Sequence, residues 1–422
     1  MKAHLNDLMD RIFSLSKHGI KMGLDNMALA LNVLELDLSD IRFVHIAGTN
    51  GKGSTAATLS SLIMEHSNGQ RTGLYTSPHL LKFNERIMID GKQISDEEMV
   101  AIADIIFTKC SNIPLTFFEF TTLMALQYFV DNKVGFAIME TGLGGRLDAT
   151  NIIRPEICIV TSIDYDHREY LGETLPQIAL EKAGIFKKGT EVIIGDTSCN
   201  DILKQQAIKV GVKRIWELGK DFNYSIKKAS SFDILVNGKT IYDNLNKKLL
   251  GEHQYANSAL AIMAFSLLGM HGSSGTITRS LNSVIWPGRL ELLKIKGRIV
   301  YIDVSHNVQG IQKTVEFMNS EHGQCNIYTA CGFMKDKDYS KMIGFLQEIS
   351  KKVFLIPTSV PGRELNKIDY ENLLLKGQNN NLLICNDFSD GIDRMLEEDG
   401  ILLFTGSIYN YEHLYELLKD VE

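Results

Sequence analysis

The chain has 422 residues, of which 44% are hydrophobic and 23% charged, and its 44 Lys and Arg against 51 Asp and Glu give a formal charge of −7. Such a length exceeds the roughly 100–200 residues of one domain and favours two or three. Without a basic excess there is no electrostatic footprint for duplex nucleic acid or an anionic membrane, so neither is expected as a partner.

Six scattered cysteines form no C-x-x-C pair and read as reduced thiols, not as a disulfide framework or zinc site. The N-terminus is charged and no apolar run approaches the ~18–20 residues of a membrane span. A cytoplasmic protein is expected.

The first buried strand falls at Arg42-Phe-Val-His-Ile-Ala47 and runs into a glycine-rich loop, with helical period over 56–65. Further apolar runs at 136–140 and 157–161 are each followed by helical period, which is the βα alternation of a parallel sheet covered on both faces. Residues 221–226 and 232–242 read as short strands around an Asn-Gly turn, an antiparallel insertion in the first domain. After Trp286-Pro-Gly-Arg289 the alternation begins again, with strands expected at 298–303, 326–330, 353–357, 382–385 and 401–405. The expected fold is therefore α/β. A domain with a parallel sheet spans 1–294, expected to be P-loop-containing and ATPase-like on the strength of the glycine-rich loop, and a smaller Rossmann-like α/β domain spans 295–422.

The glycine-rich loop comprises Gly48, Thr49, Asn50, Gly51, Lys52, Gly53, Ser54 and Thr55. Bound phosphates need closely approaching backbone N–H groups, a helix N-terminus and a cation, which the glycines, the following helix and Lys52 supply. Ser54 or Thr55 can turn a hydroxyl towards magnesium. The common G-x-x-x-x-G-K-[ST] spacing is not met, because Gly48 comes late and Gly53 separates Lys52 from Ser54.

Glu140 closes one strand and His167 lies just past another, so both fall where open α/β sheets bind ligands. Glu140 and the Ser77 hydroxyl are oxygen donors that suit magnesium, whereas histidine is an unusual magnesium ligand. On residue type alone His167 is either structural or a ligand. Lys182, near a helix end before Gly184, reads from its own surroundings as a solvated helix lysine.

The variant loop resembles that of the Mur ligase superfamily of ATP-dependent amide ligases, and the chain from about Lys21 to Tyr409 resembles its folylpolyglutamate synthase/dihydrofolate synthase branch. The motifs occur in order: Tyr75-Thr-Ser-Pro-His79, Phe83-Asn-Glu-Arg-Ile87, Phe117-Phe-Glu-Phe-Thr121, Glu140-Thr-Gly-Leu-Gly-Gly-Arg-Leu-Asp-Ala-Thr-Asn151, Asp166-His-Arg-Glu-Tyr-Leu-Gly172, Glu181-Lys-Ala-Gly-Ile185, Gly251-Glu-His-Gln-Tyr-Ala-Asn257, Trp286-Pro-Gly-Arg289, Asp303-Val-Ser-His-Asn307, Asp336-Lys-Asp338 and Thr405-Gly-Ser407. Many relatives have Asp-Gly-Ala-His-Asn-Pro where this chain has Asp303-Val-Ser-His-Asn-Val.

The resemblance implies ATP and two magnesium ions, with Ser77, Glu140 and His167 on metal-binding positions and Lys182 carbamylated. Asn257 would contact adenine and Arg289 the phosphates. Asp303 and His306 would match positions that close over the nucleotide, with the catalytic set formed by Lys52, His167, Lys182, Asp303 and His306. Lys21, Met22, Gly23, Thr116, Phe117, Phe118, Glu119, Leu147, Asp148 and Ala149 would fall on pterin-binding positions, although Phe117 and Phe118 could equally be core residues. The implied activity adds L-glutamate to dihydropteroate and to reduced folates through an acyl phosphate, in a monomer whose two domains close over the intermediate. An enzyme that only extends folates, or another Mur-type amino acid ligase, is the alternative.

Overall fold

The central strands form where the sequence runs apolar and β-branched, and in the larger unit they belong to an eight-stranded sheet. The computed structural model describes residues 2–15, 23–227, 230–295, 297–358, 360, 362–375 and 381–419. Lys21 and Met22, expected at the pterin, lie outside them. The sheet contains β1 (Arg42–Ala47), β2 (Thr72–Tyr75), β3 (Ile87–Ile89), β4 (Lys92–Gln93), β5 (Phe136–Glu140), β6 (Pro155–Val160), β7 (Glu191–Ile194) and β8 (Arg214–Glu217). Their order is β4-β3-β2-β5-β1-β6-β7-β8. It is parallel from β2 to β8, and β3 and β4 add an antiparallel edge.

β1 is central, with Val44 opposite Ile138 of β5 and Ile157 of β6. The carboxyl ends of β5, β1 and β6 therefore lie side by side, where a parallel sheet presents its ligand crevice. One core gathers Phe43, Tyr75, Met139 and Ile153 with Phe120, Leu123 and Met124 of helix Phe117–Asp131. Another joins Ala47, Cys158 and Val160 to Ile178 and Ala179 of helix Leu175–Ala183.

A separate antiparallel sheet contains β9 (Phe222–Ile226), β10 (Phe232–Val236) and β11 (Lys239–Leu245). Asn237 and Gly238, at φ 49° and 75°, make the turn between β10 and β11, a conformation that asparagine and glycine accept at least cost.

The chain divides into two units, Met1–Lys248 with Gln254–Val284, and Leu249–His253 with Ile285–Glu422. The second unit has a six-stranded sheet made from β12 (Glu291–Ile295), β13 (Arg298–Asp303), β14 (Ile327–Cys331), β15 (Lys352–Leu355), β16 (Leu382–Ile384) and β17 (Ile401–Thr405), in the order β12-β13-β17-β14-β15-β16. Only β12 is antiparallel to its neighbour. It pairs with β13 from Glu291 to Ile295, and the unit takes up the chain again at Ile285, whereas the boundary expected from sequence is 294/295. The α/β architecture with a second, smaller sheet agrees with the expectation.

Candidate active site

From Ala47 the chain turns through Gly48–Gly51 into helix Lys52–His66, whose N-terminal N–H groups and dipole favour an anion. A Cβ on Gly48 would lie 1.9 Å from Thr161 Oγ1, and one on Gly51, at φ 83°, would lie 2.5 Å from Asn257 Oδ1. Both positions require glycine. The segment after β6 stitches the loop in place. Thr161 Oγ1 and Ser162 Oγ donate to the Asn50 carbonyl at 2.6 and 3.0 Å, Thr49 N donates to the Ser162 carbonyl at 2.8 Å, and Asp164 N donates to Thr49 Oγ1 at 3.0 Å.

Lys52 Nζ folds over its own loop, donating to the carbonyls of Gly48 at 3.1 Å and Thr49 at 3.3 Å. Gly53, Ser54 and Thr55 form the first turn. Ser54 Oγ accepts from Gln254 Nε2 at 3.4 Å, and Thr55 Oγ1 is buried with no partner. Asn257, on helix His253–Leu267, is buried and donates to Gln254 Oε1 at 2.9 Å.

Lys182 is not solvated. It sits in the last turn of helix Leu175–Ala183, 4% exposed, and its Nζ donates to the Gly48 carbonyl at 2.8 Å. Burial first, then repulsion from Lys52, pushes its ammonium down to about 7. Two lysines thus converge on one carbonyl of the loop.

Glu140, at the end of β5, is buried, and its carboxylate accepts from Ser77 N at 3.3 Å. His167 follows β6 in a left-handed conformation at φ 48°, its backbone N donating to Asp166 Oδ1 at 3.0 Å. Among the described residues no three His, Cys, Asp or Glu side chains gather into a ready-made cage. The fit to a hard cation rests on oxygen chemistry, namely the Glu140 carboxylate beside Ser77 and the unpartnered Thr55 hydroxyl, with phosphate oxygens to complete the set.

The residues expected at a pterin have internal partners. Thr116 and Glu119 form a capping box at the start of helix Phe117–Asp131, with Thr116 N donating to Glu119 Oε2 at 2.8 Å and Glu119 N to Thr116 Oγ1 at 3.3 Å. The T-x-x-E pattern was readable as a cap from sequence. Asp148 Oδ2 accepts from Gly142 N at 2.9 Å and Leu143 N at 2.8 Å, while Oδ1 accepts from Thr150 N at 3.0 Å and from Thr150 Oγ1. These four donors match a carboxylate's capacity, so a pterin amino group would have to replace one of them. Burial raises the Asp148 carboxyl above its usual range, opposed by these same hydrogen bonds.

Phe117 and Phe118 are half-buried. Phe117 stacks on Phe13 with centroids 5.6 Å apart and lies beneath Arg86 at 5.3 Å. The Phe118 ring covers Gly142, where a Cβ would meet it at 2.4 Å. Leu147 and Gly23 are half-buried, and Ala149 is buried and joins the core.

In the second unit, Asp303 ends β13 and clamps the turn that carries Arg289. Its Oδ2 accepts from Leu290 N at 2.9 Å, and its Oδ1 accepts from Ser305 N at 3.0 Å and Thr314 Oγ1 at 2.9 Å. His306 donates from Nδ1 to the Val304 carbonyl at 3.1 Å, which fixes its tautomer.

Residues 46–265 match the Mur ligase middle domain, and residues 288–408 match the Mur ligase glutamate ligase domain. A dihydrofolate synthase/folylpolyglutamate synthase of Bacillus subtilis is 33% identical over 422 residues, covering 96% of each chain. Escherichia coli FolC in complex with DHPP and ADP superimposes with a TM-score of 0.88 at 28% identity, covering 98% of both chains. A bifunctional folylpolyglutamate synthase/dihydrofolate synthase with Mn, AMPPNP and L-glutamate bound gives a TM-score of 0.87 at 26% identity, again covering 98% of both. The chain belongs to the Mur ligases and, among them, to the dihydrofolate synthase/folylpolyglutamate synthase family.

Proposed function

We propose that the protein is an ATP-dependent ligase that joins L-glutamate to dihydropteroate and to the γ-carboxylate of reduced folates. The observation that carries this reading is the phosphate loop, with Lys52 and the buried Lys182 meeting at the Gly48 carbonyl beside the strand that ends in Glu140. The relatives with DHPP and ADP, or with AMPPNP and L-glutamate, support the substrate classes.

A carboxylate does not condense with an amine in water until it becomes an electrophile. ATP phosphorylates it, and the glutamate amine then attacks the acyl phosphate and expels phosphate. Lys52 and the N-terminus of helix Lys52–His66 offset charge on the transferred phosphoryl group, and Arg289 is proposed as a further cation for the phosphates. Ser77, Glu140 and His167 would hold magnesium, which when bound supplies charge neutralisation to the phosphates. A lysine whose ammonium is depressed to about 7 is substantially a free amine near neutrality, the form that adds carbon dioxide and releases a proton. Carbamylation of Lys182 and a second magnesium ion are therefore part of the proposal, as are a monomeric state and a cytoplasmic location.

An enzyme that only extends folates is the second reading, favoured by the internal engagement of Thr116, Glu119 and Asp148. Phosphate release with Mg-ATP, L-glutamate and either dihydropteroate or a reduced folate separates the two. Release that depends on both acceptors is expected. Dependence on reduced folate alone leaves the second reading, and release that depends on neither overturns both.

A further inference from the structure

We propose that His45 and Thr150 are positioning residues for the acceptor side of the ligation, acting through Asp148 on the segment that follows Glu140. The proposal rests on the reading that residues 147–149 meet the pterin of the acceptor.

His45 lies in the middle of β1 and is fully buried. Strand alternation puts it on the same side of the sheet as Phe43, the side where Ala149 and Ile153 join the core. Its Nε2 is 2.8 Å from Thr150 Oγ1, and Thr150 is also fully buried. Thr150 Oγ1 in turn donates to Asp148 Oδ1, and Asp148 Oδ2 takes the N–H groups of Gly142 and Leu143.

Proton counting fixes the direction of this chain. A hydroxyl has one proton, and Thr150 gives its own to the carboxylate, so Thr150 Oγ1 accepts from a protonated His45 Nε2. That leaves Nδ1 bare, and it is buried without a partner. An unsatisfied buried nitrogen is costly, whereas Phe43, on the same face of the strand, is buried as plain hydrocarbon. Packing alone therefore gives no reason for an imidazole here; the hydrogen bond to Thr150 does. Lys187, the charged group facing the ring, donates to the Asn151 and Ile153 carbonyls and closes the other end of the 3-10 turn Ala149–Ile152.

The chain of bonds joins two places that chemistry must keep in register. β1 leads directly into the phosphate loop, and the clamped Gly142 and Leu143 follow Glu140 and precede the acceptor segment. Asn151 and Gly145 seat the same segment against the helix that carries Lys182: Asn151 Nδ2 donates to the Gly184 carbonyl at 3.1 Å, and a Cβ on Gly145 would lie 2.8 Å from the Lys182 carbonyl. Loss of the Thr150 hydroxyl frees Asp148 on one side, and the acceptor segment loses its register with the phosphate loop.

The test compares T150V, which removes the hydroxyl at nearly constant shape, with T150S, which keeps it. In T150V the KM for the pterin acceptor should rise about tenfold, the scale of one lost hydrogen bond to a charged group. Its KM for Mg-ATP should stay within about twofold, and T150S should restore the wild-type value. If T150V does not fold, H45Q against H45L repeats the comparison, since glutamine keeps an N–H towards Thr150 and leucine does not. A lowered Tm with both KM values unchanged, or an equal rise in both, overturns the positioning role. A wild-type protein that ligates glutamate to no pterin acceptor overturns the functional reading instead.

Discussion

Lys182 shows how far a residue's chemistry departs from its local sequence. Its helical setting says solvated lysine, yet the packed helix drives its side chain under the phosphate loop, 4% exposed. The sign of the resulting pH dependence follows from linkage. With the folded group near 7 and the unfolded group near 10.5, the unfolded chain binds more protons between those values, so stability rises with pH across that window. The contribution is complete above about 10.5 and is lost as pH falls through about 7. Lys187 and Lys247, each pushed down to about 8 mainly by burial, act in the same direction, and a difference measurement cancels them. In buffers free of carbon dioxide, urea unfolding of wild type minus K182M should give a difference that grows in favour of wild type from pH 7 to pH 10. A flat difference would show that Lys182 does not titrate in that range.

At the scale of elements, the loop from Ser77 to Lys82 has no regular structure and is held by the short helix Phe83–Arg86. The Glu85 carboxylate collects the N–H groups of Leu80, Leu81 and Lys82 at 2.7, 3.0 and 2.9 Å, and Arg86 Nε donates to His79 Nδ1 at 2.8 Å. E85A should cost about 2–3 kcal/mol, as expected when charge-assisted bonds are lost. If this loop presents Ser77 to the metal, E85A should also raise the magnesium concentration for half-maximal activity several-fold; an unchanged magnesium requirement would exclude that role.

Which elements were legible follows from the same physics. β1, β5, β13 and β17 have the bounds read from sequence, because continuous apolar β-branched runs need no distant information. The edge strands β3 and β4 were not read, being short and partly exposed. In the candidate site the residue types that suit phosphate and magnesium were visible, but their partners were not. Thr161 and Ser162 reach Asn50 across more than a hundred residues, and the four donors to Asp148 appear only once the segment 142–150 is folded. The first depends on which strands become neighbours, which residue spacing does not encode; the second is local but depends on the backbone path of a loop with no repeating pattern to read.

For the whole molecule, the net charge of −7 opposes the anionic substrates of the proposed reaction, so positive potential has to be local, and the proposal puts it at Lys52 and the start of helix Lys52–His66. Salt screens the overall repulsion and the local attraction together, so ionic strength cannot separate them, whereas removal of one cation can. A ligand that binds only the folded state adds RT ln(1 + [L]/Kd), about 2.7 kcal/mol at a hundredfold excess over Kd. For units of this size that corresponds to a rise in Tm of about 5 °C or more. Saturating Mg-ATP should give wild type such a shift in calorimetry. K52A should melt near the unliganded wild type and lose the shift, because among the described residues the hydrogen bonds of the Lys52 side chain go to the carbonyls of its own loop, at Gly48 and Thr49, and its removal spares the core. A K52A protein that keeps the full Mg-ATP shift would remove Lys52 from phosphate binding and leave the N-terminus of helix Lys52–His66 to offset the charge.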